Sequence, residues 1–503
     1  MLTVLLVVVG VLAALRLLFE FFRDRRLPPG PRRLPLIGNL HQIPLQRPWL
    51  TYDRWCKQYG PLVSCQQGLT TTILVGDPVI AQELLSKQAA SGRPRMVMFV
   101  ENMGRNMYSA FGRYDQTYRL HQRMETLVLK GQLAPSYAAV QDMESKQTLY
   151  ELLSSNDFVS IFNRYNASVI FSLIYGKRIV TGMEPEMDDY RQRHVNSDIT
   201  VKEPWLVNFL PFLNRLPRPL APWKKVADKF FEFESRVHMQ NLQYGLHTPA
   251  WNWTKEFVGS KEAQKLPLLE VAYDLGLLVD AGYEAPSAVM FVFVLAALTA
   301  PEAMRKAQKE LDDVVGSSRL PGLEDKDRLP YVNALVDETQ RWRTISPFAF
   351  PHAMLEDVDF QGYRIPKGAT VLPLTWTMGL DESRFDSPFD FQPERWLTNA
   401  DNGRFTNWWG YGRRACAGRY IGKNSLFLVI ARVLWGFDLG RVEGDKIDTL
   451  AFTTGLLSAP EPFRAVFKPR STIHRDVIER EWATAEKDIN VLMDQVRSQQ
   501  MHG

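Results

Sequence analysis

The chain has very little cysteine. Its 503 residues include three, Cys56, Cys65 and Cys416. An odd, low number of cysteines argues against a disulfide framework and favours a reducing compartment. Neither sign of charge predominates, because the chain has 60 basic and 56 acidic residues and a net charge of +4. Proteins that bind nucleic acid usually concentrate basic residues on one face, so this balance predicts no nucleic-acid partner.

Other absences narrow the function further. The sequence shows no internal repeat, no cysteine and histidine spacing typical of a zinc site, and no nucleophile elbow of the G-x-S-x-G type. Hydrophobic residues, in contrast, make up 45% of the chain, with 28 Phe, 17 Tyr and 13 Trp among the aromatic ones. This content is enough for a large core, and length alone would allow about three domains of 150 residues each.

Residues 1–22 are mostly apolar and predict a membrane signal anchor, since a span needs about 20 such residues. Arg16 and Glu20 lie four apart near one end, where they can pair and the arginine can reach the headgroups. Three arginines follow within residues 23–26, so the positive-inside rule places the rest of the chain in the cytosol. A cleaved signal peptide is the alternative, but its basic residues would precede the apolar run.

A basic, proline-rich segment covers residues 23–48 and includes Leu27-Pro28-Pro29-Gly30-Pro31. Proline fixes φ and resists helix formation, so this segment predicts a stiff hinge between the anchor and residues 49–503. Within the latter, residues 201–225 place apolar residues beside basic ones. That pattern suits either a loop that dips into a membrane or a packed surface helix.

The stretch 408–419, WWGYGRRACAGR, places one cysteine among glycines and arginines. Gly412 and Gly418 have no side chain, so the backbone can lie close to a flat ligand. Positive charge nearby favours the thiolate of Cys416 over its thiol. A thiolate in such surroundings suits the iron of a haem.

Two other interpretations of this stretch exist. A lone cysteine such as Cys416 is most often a small buried hydrophobe. Gly410-x-Gly412-x-x-Ala415 also fits a dinucleotide fingerprint, which must follow a strand and open a helix. No apolar strand pattern precedes it here, so the dinucleotide interpretation is disfavoured.

Residues 266–300 form the most apolar internal segment. Its uninterrupted part, 288–300, is too short to span a bilayer, so we expect a buried core helix. Pro286 lacks an N–H and its ring clashes with the Gly282 carbonyl, so the helix is expected to open at Gly282 with Glu284 inside the groove. A break in a long helix commonly marks a working site.

Taken in chain order, these stretches resemble motifs of the cytochrome P450 family. The loop around Cys416 is similar to the family's haem loop, aromatic-x-x-Gly-x-Arg-x-Cys-x-Gly, with Trp409 where Phe is usual. Ala281-Gly282-Tyr283-Glu284-Ala285 is similar to the oxygen-groove motif Ala-Gly-x-acid-Thr, but Ala285 replaces the threonine. Glu338-x-x-Arg341, an ordinary surface ion pair when taken alone, is followed by Pro393-Glu394-Arg395 and is similar to the family's buried pair with its locking arginine.

The resemblance implies a role for each of these residues. The haem b cofactor would have Cys416 as axial ligand of its iron and would be held by Arg414, His352, Gly412, Gly418, Trp409 and Tyr118, the last in place of the family's propionate-binding Trp. The catalytic groove that delivers protons would consist of Glu284, Gly282 and Ala285. A structural support behind the haem loop would consist of Glu338, Arg341 and Arg395. Ser287 could replace the missing hydroxyl only if the distortion at Pro286 turned it inward.

The resemblance extends over nearly the whole chain and implies a mainly α fold with small β-sheets, the cytochrome P450 fold, preceded by a single N-terminal transmembrane helix. Residues 49–503 would be a haem-thiolate catalytic domain on the cytosolic side of the endoplasmic reticulum membrane. Electrons would come from a separate NADPH–cytochrome P450 reductase, because no flavin or NADPH domain is appended.

Residues 38–50 and 118–125 further resemble fungal microsomal members of the O-methylsterigmatocystin oxidoreductase type, which tailor polyketides. This implies a monooxygenase of fungal secondary metabolism that oxidises an apolar, phenolic aromatic polyketide by phenol coupling or hydroxylation. A redox-neutral haem-thiolate isomerase or dehydratase is the alternative, which the lost threonine favours and Glu284 opposes. The intact Cys416 loop opposes a haem-free binding protein.

Overall fold

The computed structural model describes residues 26–34, 37–398 and 408–502, together with Gly10, Val11 and Ala14. The predicted membrane anchor, residues 1–22, lies outside the described residues apart from those three. Among the described residues, one helix, Leu268–Thr299, is long and apolar enough to cross a membrane. Its most apolar window is 61% buried inside the fold, as a core helix would be.

Helices make up most of the described chain. The α-helices are α1 (Trp49–Tyr59), α2 (Pro78–Leu85), α3 (Gln116–Leu129), α4 (Ala138–Leu152), α5 (Phe158–Tyr175), α6 (Pro185–Lys202), α7 (Leu206–Phe209), α8 (Pro222–His247), α9 (Trp253–Val258), α10 (Leu268–Thr299), α11 (Pro301–Val314), α12 (Pro330–Trp342), α13 (Thr375–Gly379), α14 (Arg395–Thr398), α15 (Arg419–Gly436), α16 (Thr472–Thr484) and α17 (Ile489–His502). A π-helix covers Val97–Met103 and a short 3-10 helix covers Gly412–Arg414.

The β-structure is small. The strands are β1 (Leu62–Gln67), β2 (Thr70–Val75), β3 (His352–Ala353), β4 (Val358–Phe360), β5 (Tyr363–Ile365), β6 (Thr370–Pro373), β7 (Phe437–Arg441) and β8 (Ala465–Pro469). Four of them form one sheet in the order β1-β2-β6-β3, in which β2 and β6 run parallel and the other neighbours antiparallel. In that sheet Val371 lies opposite both Ile73 and His352, which fixes the position of His352. β4 pairs with β5 and β7 with β8.

The core is built around α10. It packs along α5, and both helices are rich in apolar residues and buried over much of their length. α15 follows the Cys416 loop and is buried from Ser425 to Gly436. Aspartates cap two of the helices near the site: Asp77 accepts the Ile80 N–H at the start of α2, and Asp115 accepts the Tyr118 N–H at the start of α3.

The sequence-based expectations for the fold are largely confirmed. The core helix expected within residues 266–300 is present as Leu268–Thr299, and the fold is mainly α with small sheets. The sequence of residues 93–111 is loop-like, but Val97–Met103 within it is helical.

The expected opening of α10 was also wrong, since helical backbone continues through Pro286 from Leu268 to Thr299. The physical reason lies in Gly282, which faces α5. A Cβ at Gly282 would lie 2.8 Å from Cγ1 and Cδ1 of Ile170. The missing side chain thus serves the close approach of two helices, whose packing keeps α10 helical past the proline.

Candidate haem site

Cys416 lies in the loop that leads from the 3-10 helix Gly412–Arg414 into α15. Its N–H donates to the Trp409 carbonyl over 2.6 Å, which closes the loop. The Trp409 indole packs on α15 at Gly422, where a Cβ would lie 2.9 Å from the ring. The loop is therefore fixed at both ends, and Cys416 remains accessible at its turn.

Backbone N–H groups are directed at the Cys416 thiol. Desolvation by the surrounding protein raises the thiol's pKa, while the N–H groups of Gly418 and Arg419 and the charge of Arg419 oppose that rise. Such donors stabilise a thiolate more than a thiol. A bound metal cation would remove the remaining cost of deprotonation, so these surroundings suit a cysteine that acts as a metal ligand.

The two glycines of this loop serve different purposes. Gly412 has a φ of +53°, and a Cβ on it would lie 2.5 Å from the Leu85 carbonyl oxygen, so only glycine fits. Gly418 faces open space, with no atom within 4 Å of the position its Cβ would take. Gly418 therefore leaves room beside Cys416 for a flat ligand.

Arg414 is buried beside the loop. Its Nε donates to the Ser91 carbonyl and its Nη2 to the Gly112 carbonyl, each over 2.8 Å, while Nη1 is buried without a hydrogen-bond partner. The guanidinium lies flat on Tyr118, with 3.7 Å between Cζ and the ring centroid. The Tyr118 hydroxyl donates to the Arg413 carbonyl over 3.4 Å. In this structure Tyr118 therefore positions Arg414, with its own hydroxyl engaged by the loop.

Arg93 is a functional candidate that no motif indicated. It donates to the carbonyls of Ala110 and Pro351 over 2.9 and 2.7 Å. Burial, together with the nearby charge of Arg414, lowers the Arg93 pKa to about 9. In the sequence Arg93 is only an arginine between Gly92 and Pro94. Its hydrogen-bond partner Pro351 lies 258 residues away, so the contact could not be predicted from the sequence.

His352 is buried on β3 next to these arginines. Its Nδ1 lies 2.7 Å from the Ala90 carbonyl, which can only accept, so Nδ1 carries the proton. Burial lowers the His352 pKa to about 3, and the charge of Arg93 adds to that effect. Among the described residues, no carboxylate is hydrogen-bonded to Arg93, Arg414 or His352. Buried arginines that no carboxylate binds directly fit an anionic ligand.

Glu338, Arg341 and Arg395 meet in a buried network. Arg341 donates from Nε and Nη2 to the two Glu338 oxygens over 2.8 and 2.7 Å, and Arg395 Nε donates to the same carboxylate over 3.1 Å. Arg341 Nη1 also binds the Gly379 carbonyl over 2.7 Å. A Cβ at Gly379 would lie 3.2 Å from the Trp408 ring, so the network supports the start of the Cys416 loop.

The predicted groove residues separate on α10. Ala281 and Ala285 lie four apart and share one face, and Ala281 is exposed although it is in the middle of a core helix. Glu284 points to α6, where it forms an ion pair with His194. Ser287 is buried against α5: it donates to the Tyr283 carbonyl over 2.7 Å and accepts from Asn166 over 2.9 Å. Ser287 therefore does not replace the missing threonine hydroxyl.

An apolar cluster adjoins the arginines. Its buried members include Phe99, Tyr108, Phe111 and Tyr273, against which Phe231, Leu277, Phe350 and Leu456 pack. The rings of Phe99 and Tyr108 stack with their centroids 4.7 Å apart, and the ring centroids of Phe111 and Phe350 lie 5.5 Å apart. The Arg93 guanidinium lies 6.0 Å from the Phe350 ring. Residues distant in sequence thus form one apolar cluster, rich in aromatic rings, next to the cationic groups.

These features fit a haem. Cys416 offers a thiolate, Gly418 and the small alanines of α10 leave room for a flat ring, and the unpartnered Arg414 Nη1 with Arg93 suits propionates. A mainly helical fold with such a cysteine loop is that of a haem-thiolate enzyme.

The comparisons with known proteins agree. Residues 28–467 match the family model for cytochrome P450. The chain is 38% identical over 475 residues to the cytochrome P450 monooxygenase drtD of Aspergillus calidoustus, covering 92% of this chain and 90% of that one. It is 36% identical over 489 residues to the monooxygenase FrzL of Cladobotryum sp, covering 95% and 94%. A solved zebrafish cytochrome P450 with abiraterone superposes with a TM-score of 0.69 at 25% identity, over 84% of this chain and all of that one.

The chain belongs to the cytochrome P450 family. It is a haem-dependent monooxygenase and its cofactor is haem b; members of the family generally receive electrons from a redox partner. Its relatives are fungal monooxygenases of secondary metabolism. The family, the mainly helical fold and the cofactor expected from the sequence are confirmed, while the roles of individual site residues remain predictions.

Proposed function

We propose that this enzyme is a membrane-anchored monooxygenase that oxidises an apolar, phenolic aromatic polyketide, by oxidative phenol coupling or by hydroxylation. The observation that carries the proposal is the aromatic cluster of Phe99, Phe111, Phe231 and Phe350, which packs on α10 at Tyr273 and Leu277. Aromatic side chains bind flat apolar ligands by stacking and edge contacts. Met103 and the partly buried Met107 add adaptable apolar surface to the same cluster.

Haem b, when bound, would supply the activation of O2, and the protein would hold the cofactor and control protons. Cys416 would bind its iron through sulfur, Arg414 and Arg93 would bind the propionates, and the backbone N–H groups of Gly418 and Arg419 would stabilise the sulfur charge. Glu284 would deliver protons to the groove. These roles agree with the chemistry of each donor described above.

The missing threonine hydroxyl favours a substrate that brings its own hydroxyl. Ala285 offers none, and the Ser287 hydroxyl is engaged by Tyr283 and Asn166 on the α5 side. A phenol placed against Ala285 would put an O–H where the family has the threonine. The same O–H can lose a hydrogen atom, and two phenols that each lose one can join by a new bond. Phenol coupling and use of the substrate's hydroxyl are therefore consistent with one another.

The proposed location is the endoplasmic reticulum membrane, with residues 1–22 as a single span and the catalytic domain in the cytosol. The segment between α6 and α8 exposes Leu206, Phe212 and Leu220 at 60%, 56% and 64%. The β1–β2 turn at Gly68 packs on Phe209 of this segment, so the two form one surface. Exposed apolar side chains beside basic residues suit contact with a bilayer. An NADPH–cytochrome P450 reductase in the same membrane would supply electrons.

A redox-neutral isomerase or dehydratase is the second candidate, and Ala285 is the observation that favours it. Such a reaction needs no delivery of protons to oxygen. In such a reaction the Glu284 carboxylate and its contact with His194 of α6 would have no function.

The first experiment is the spectrum of the reduced, haem-loaded protein with carbon monoxide. A red-shifted Soret band is expected for a thiolate ligand; a properly folded, haem-loaded sample without the shift would refute Cys416 as ligand. The enzyme would next be reconstituted with NADPH and reductase, with 2-naphthol as the phenol. Coupled or hydroxylated naphthol that requires the reductase supports the monooxygenase. Reductase-independent conversion of a substrate would instead support the redox-neutral alternative.

A further inference from the structure

Two consecutive residues of α6 bind two carboxylates one turn apart on α10. Arg193 donates to both oxygens of Asp280, over 2.9 and 2.8 Å. His194 forms an ion pair through Nδ1 with Oε1 of Glu284, one turn further along α10. The two contacts join the same helices, but they differ in burial and in chemistry.

The Arg193 contact is closed and permanently charged. Arg193 is buried, and although burial alone would lower its pKa, the charges of Asp280 and Glu234 raise it well above the usual value. An arginine in this setting cannot release a proton. The Arg193–Asp280 pair therefore holds α6 against α10 and takes no part in proton transfer.

The His194 contact is open and titratable. The His194 side chain is 49% exposed, whereas Glu284 is 27% exposed. The other ring nitrogen, Nε2, lies 3.7 Å from Asp198 on the next turn of α6. Asp198, His194 and Glu284 thus form a carboxylate–imidazole–carboxylate chain, which we call the α6–α10 chain. Imidazole has two ring nitrogens that can each hold a proton, so it is the side chain best suited to pass protons near neutral pH.

A third acidic residue and two tyrosines also lie near His194. Besides Glu284 and Asp198, Asp280 interacts electrostatically with His194, but its charge is matched by Arg193. The ring centroids of Tyr190 and Tyr283 lie 4.4 Å apart, and burial raises the pKa of both hydroxyls. The tyrosines therefore stay neutral and add no charge beside His194, which faces the carboxylates of Glu284 and Asp198.

We propose that His194 relays protons from solvent to Glu284, and so is a positioning residue for the oxidation at the haem. The proposal rests on the function proposed above. Nε2 takes a proton from water, and Nδ1 passes its own proton to Oε1 of Glu284. Rotation of the half-exposed ring about χ2 then brings the remaining N–H to face Glu284. One proton enters and one leaves in each cycle, with no oxidant involved.

Substitutions at His194 separate relay from simple pairing. His194→Arg keeps a cation for Glu284 but cannot release a proton, and His194→Gln removes both functions. The full-length enzyme would be reconstituted with reductase in vesicles, and NADPH consumption would be followed with 2-naphthol in H2O and D2O. We expect both variants to be slowed about tenfold, with a larger solvent isotope effect. A His194→Arg variant that keeps the wild-type rate and isotope effect would overturn the relay and leave only an ion pair.

A second readout needs no turnover. The chain has eight histidines, so side-chain NMR of 13C-labelled histidine can follow His194 directly. We expect the His194 titration midpoint to fall in Glu284→Gln, because the facing carboxylate is lost. His247→Gln, at the exposed end of α8, is the matched control and should change neither rate nor the His194 titration. A midpoint unaffected by Glu284→Gln refutes the relay.

The carbon monoxide spectrum separates failure of the relay from failure of the proposed function. If all variants show the red-shifted band and His194→Arg is as fast as wild type, the relay falls and the monooxygenase stands. If wild-type protein lacks the band, the proposed function falls, and the relay falls with it.

Discussion

The guanidinium of Arg414 rests on the ring of Tyr118, 3.7 Å from its centroid. The ring of Tyr118 therefore orients an arginine next to the Cys416 loop, while its hydroxyl binds the Arg413 carbonyl. We expect Tyr118→Phe to keep haem, since the ring remains and the lost hydroxyl bond is long, at 3.4 Å. Tyr118→Leu should release haem several-fold faster, because cation–π contacts contribute about 0.5–2 kcal/mol. Haem transfer to apomyoglobin measures this, and equal rates for both variants would contradict it.

Arg93 should contribute as much to haem binding as Arg414 does. It is buried, has no carboxylate partner among the described residues, and lies close enough to Arg414 for that charge to lower its pKa. We expect Arg93→Gln to lose haem at least tenfold faster, since hydrogen bonds to charged groups are worth about 1.5–3 kcal/mol. Arg95→Gln is the control, because Arg95 is half-exposed and pairs with Glu101. Similar rates of haem loss from the two variants would show that Arg93 makes no specific contribution to haem binding.

The Glu338 network should matter for folding before it matters for chemistry. Glu338→Gln removes the charge that two buried arginines share, and leaves them uncompensated. We expect the free energy of unfolding to fall by about 3–5 kcal/mol, with less haem-loaded protein after expression. Thermal unfolding and the carbon monoxide band measure both effects. Asp313→Asn, which breaks the exposed Lys309–Asp313 pair, should leave the melting temperature unchanged; a similar loss in the two variants would rule out a special role for the network.

His121 should make stability depend on alkaline pH. Its ring lies between Asp274 and Glu270, 3.0 Å from each. Burial favours the neutral ring, but the hydrogen bonds and charges of these carboxylates outweigh it and raise the His121 pKa to about 10. Because the folded pKa exceeds the unfolded value of about 6.5, the stabilisation is complete below pH 6.5 and is lost as pH rises through 10.

The melting temperature of wild type should therefore fall between pH 6.5 and 10, by more than that of His121→Gln. The difference between the two proteins isolates His121 from other groups that titrate in this range, such as Glu125, whose pKa burial raises to about 8. Parallel melting curves for the two proteins across this pH range would show that the ring is neutral in the folded state.

The sequence predicted those features of the structure that neighbouring residues determine. The apolar run of α10 and the glycine-flanked Cys416 can both be recognised within a short stretch of sequence. Contacts between distant segments were not readable. Arg193 and Asp280 are 87 residues apart, and Arg93 and Pro351 are 258 apart. Such pairs depend on how α6 packs on α10 and where β3 joins its sheet, which is set by the whole core.

The Pro286 expectation failed for the same reason. A proline inside a helix removes one hydrogen bond and crowds the carbonyl four residues earlier, so the local rule predicts a break. Here the local cost is outweighed by packing, because Gly282 lies against Ile170 and the rest of α10 is buried on both sides of the proline. Gly282 was interpreted as the hinge of a groove, whereas its structural task is contact with α5.

Restoring the hydroxyl at position 285 tests whether the substrate supplies it. If a phenol provides the O–H, Ala285→Thr should not raise the share of NADPH electrons that reaches product from 2-naphthol. The same variant should raise that share with 2-methoxynaphthalene, which has no hydroxyl. Ala285→Val is the matched control, because valine has the shape of threonine without the hydroxyl. Product and hydrogen peroxide would be measured per NADPH consumed. A large gain for Ala285→Thr with 2-naphthol, absent in Ala285→Val, would contradict protons supplied through the substrate and would make the lost threonine a simple defect in coupling.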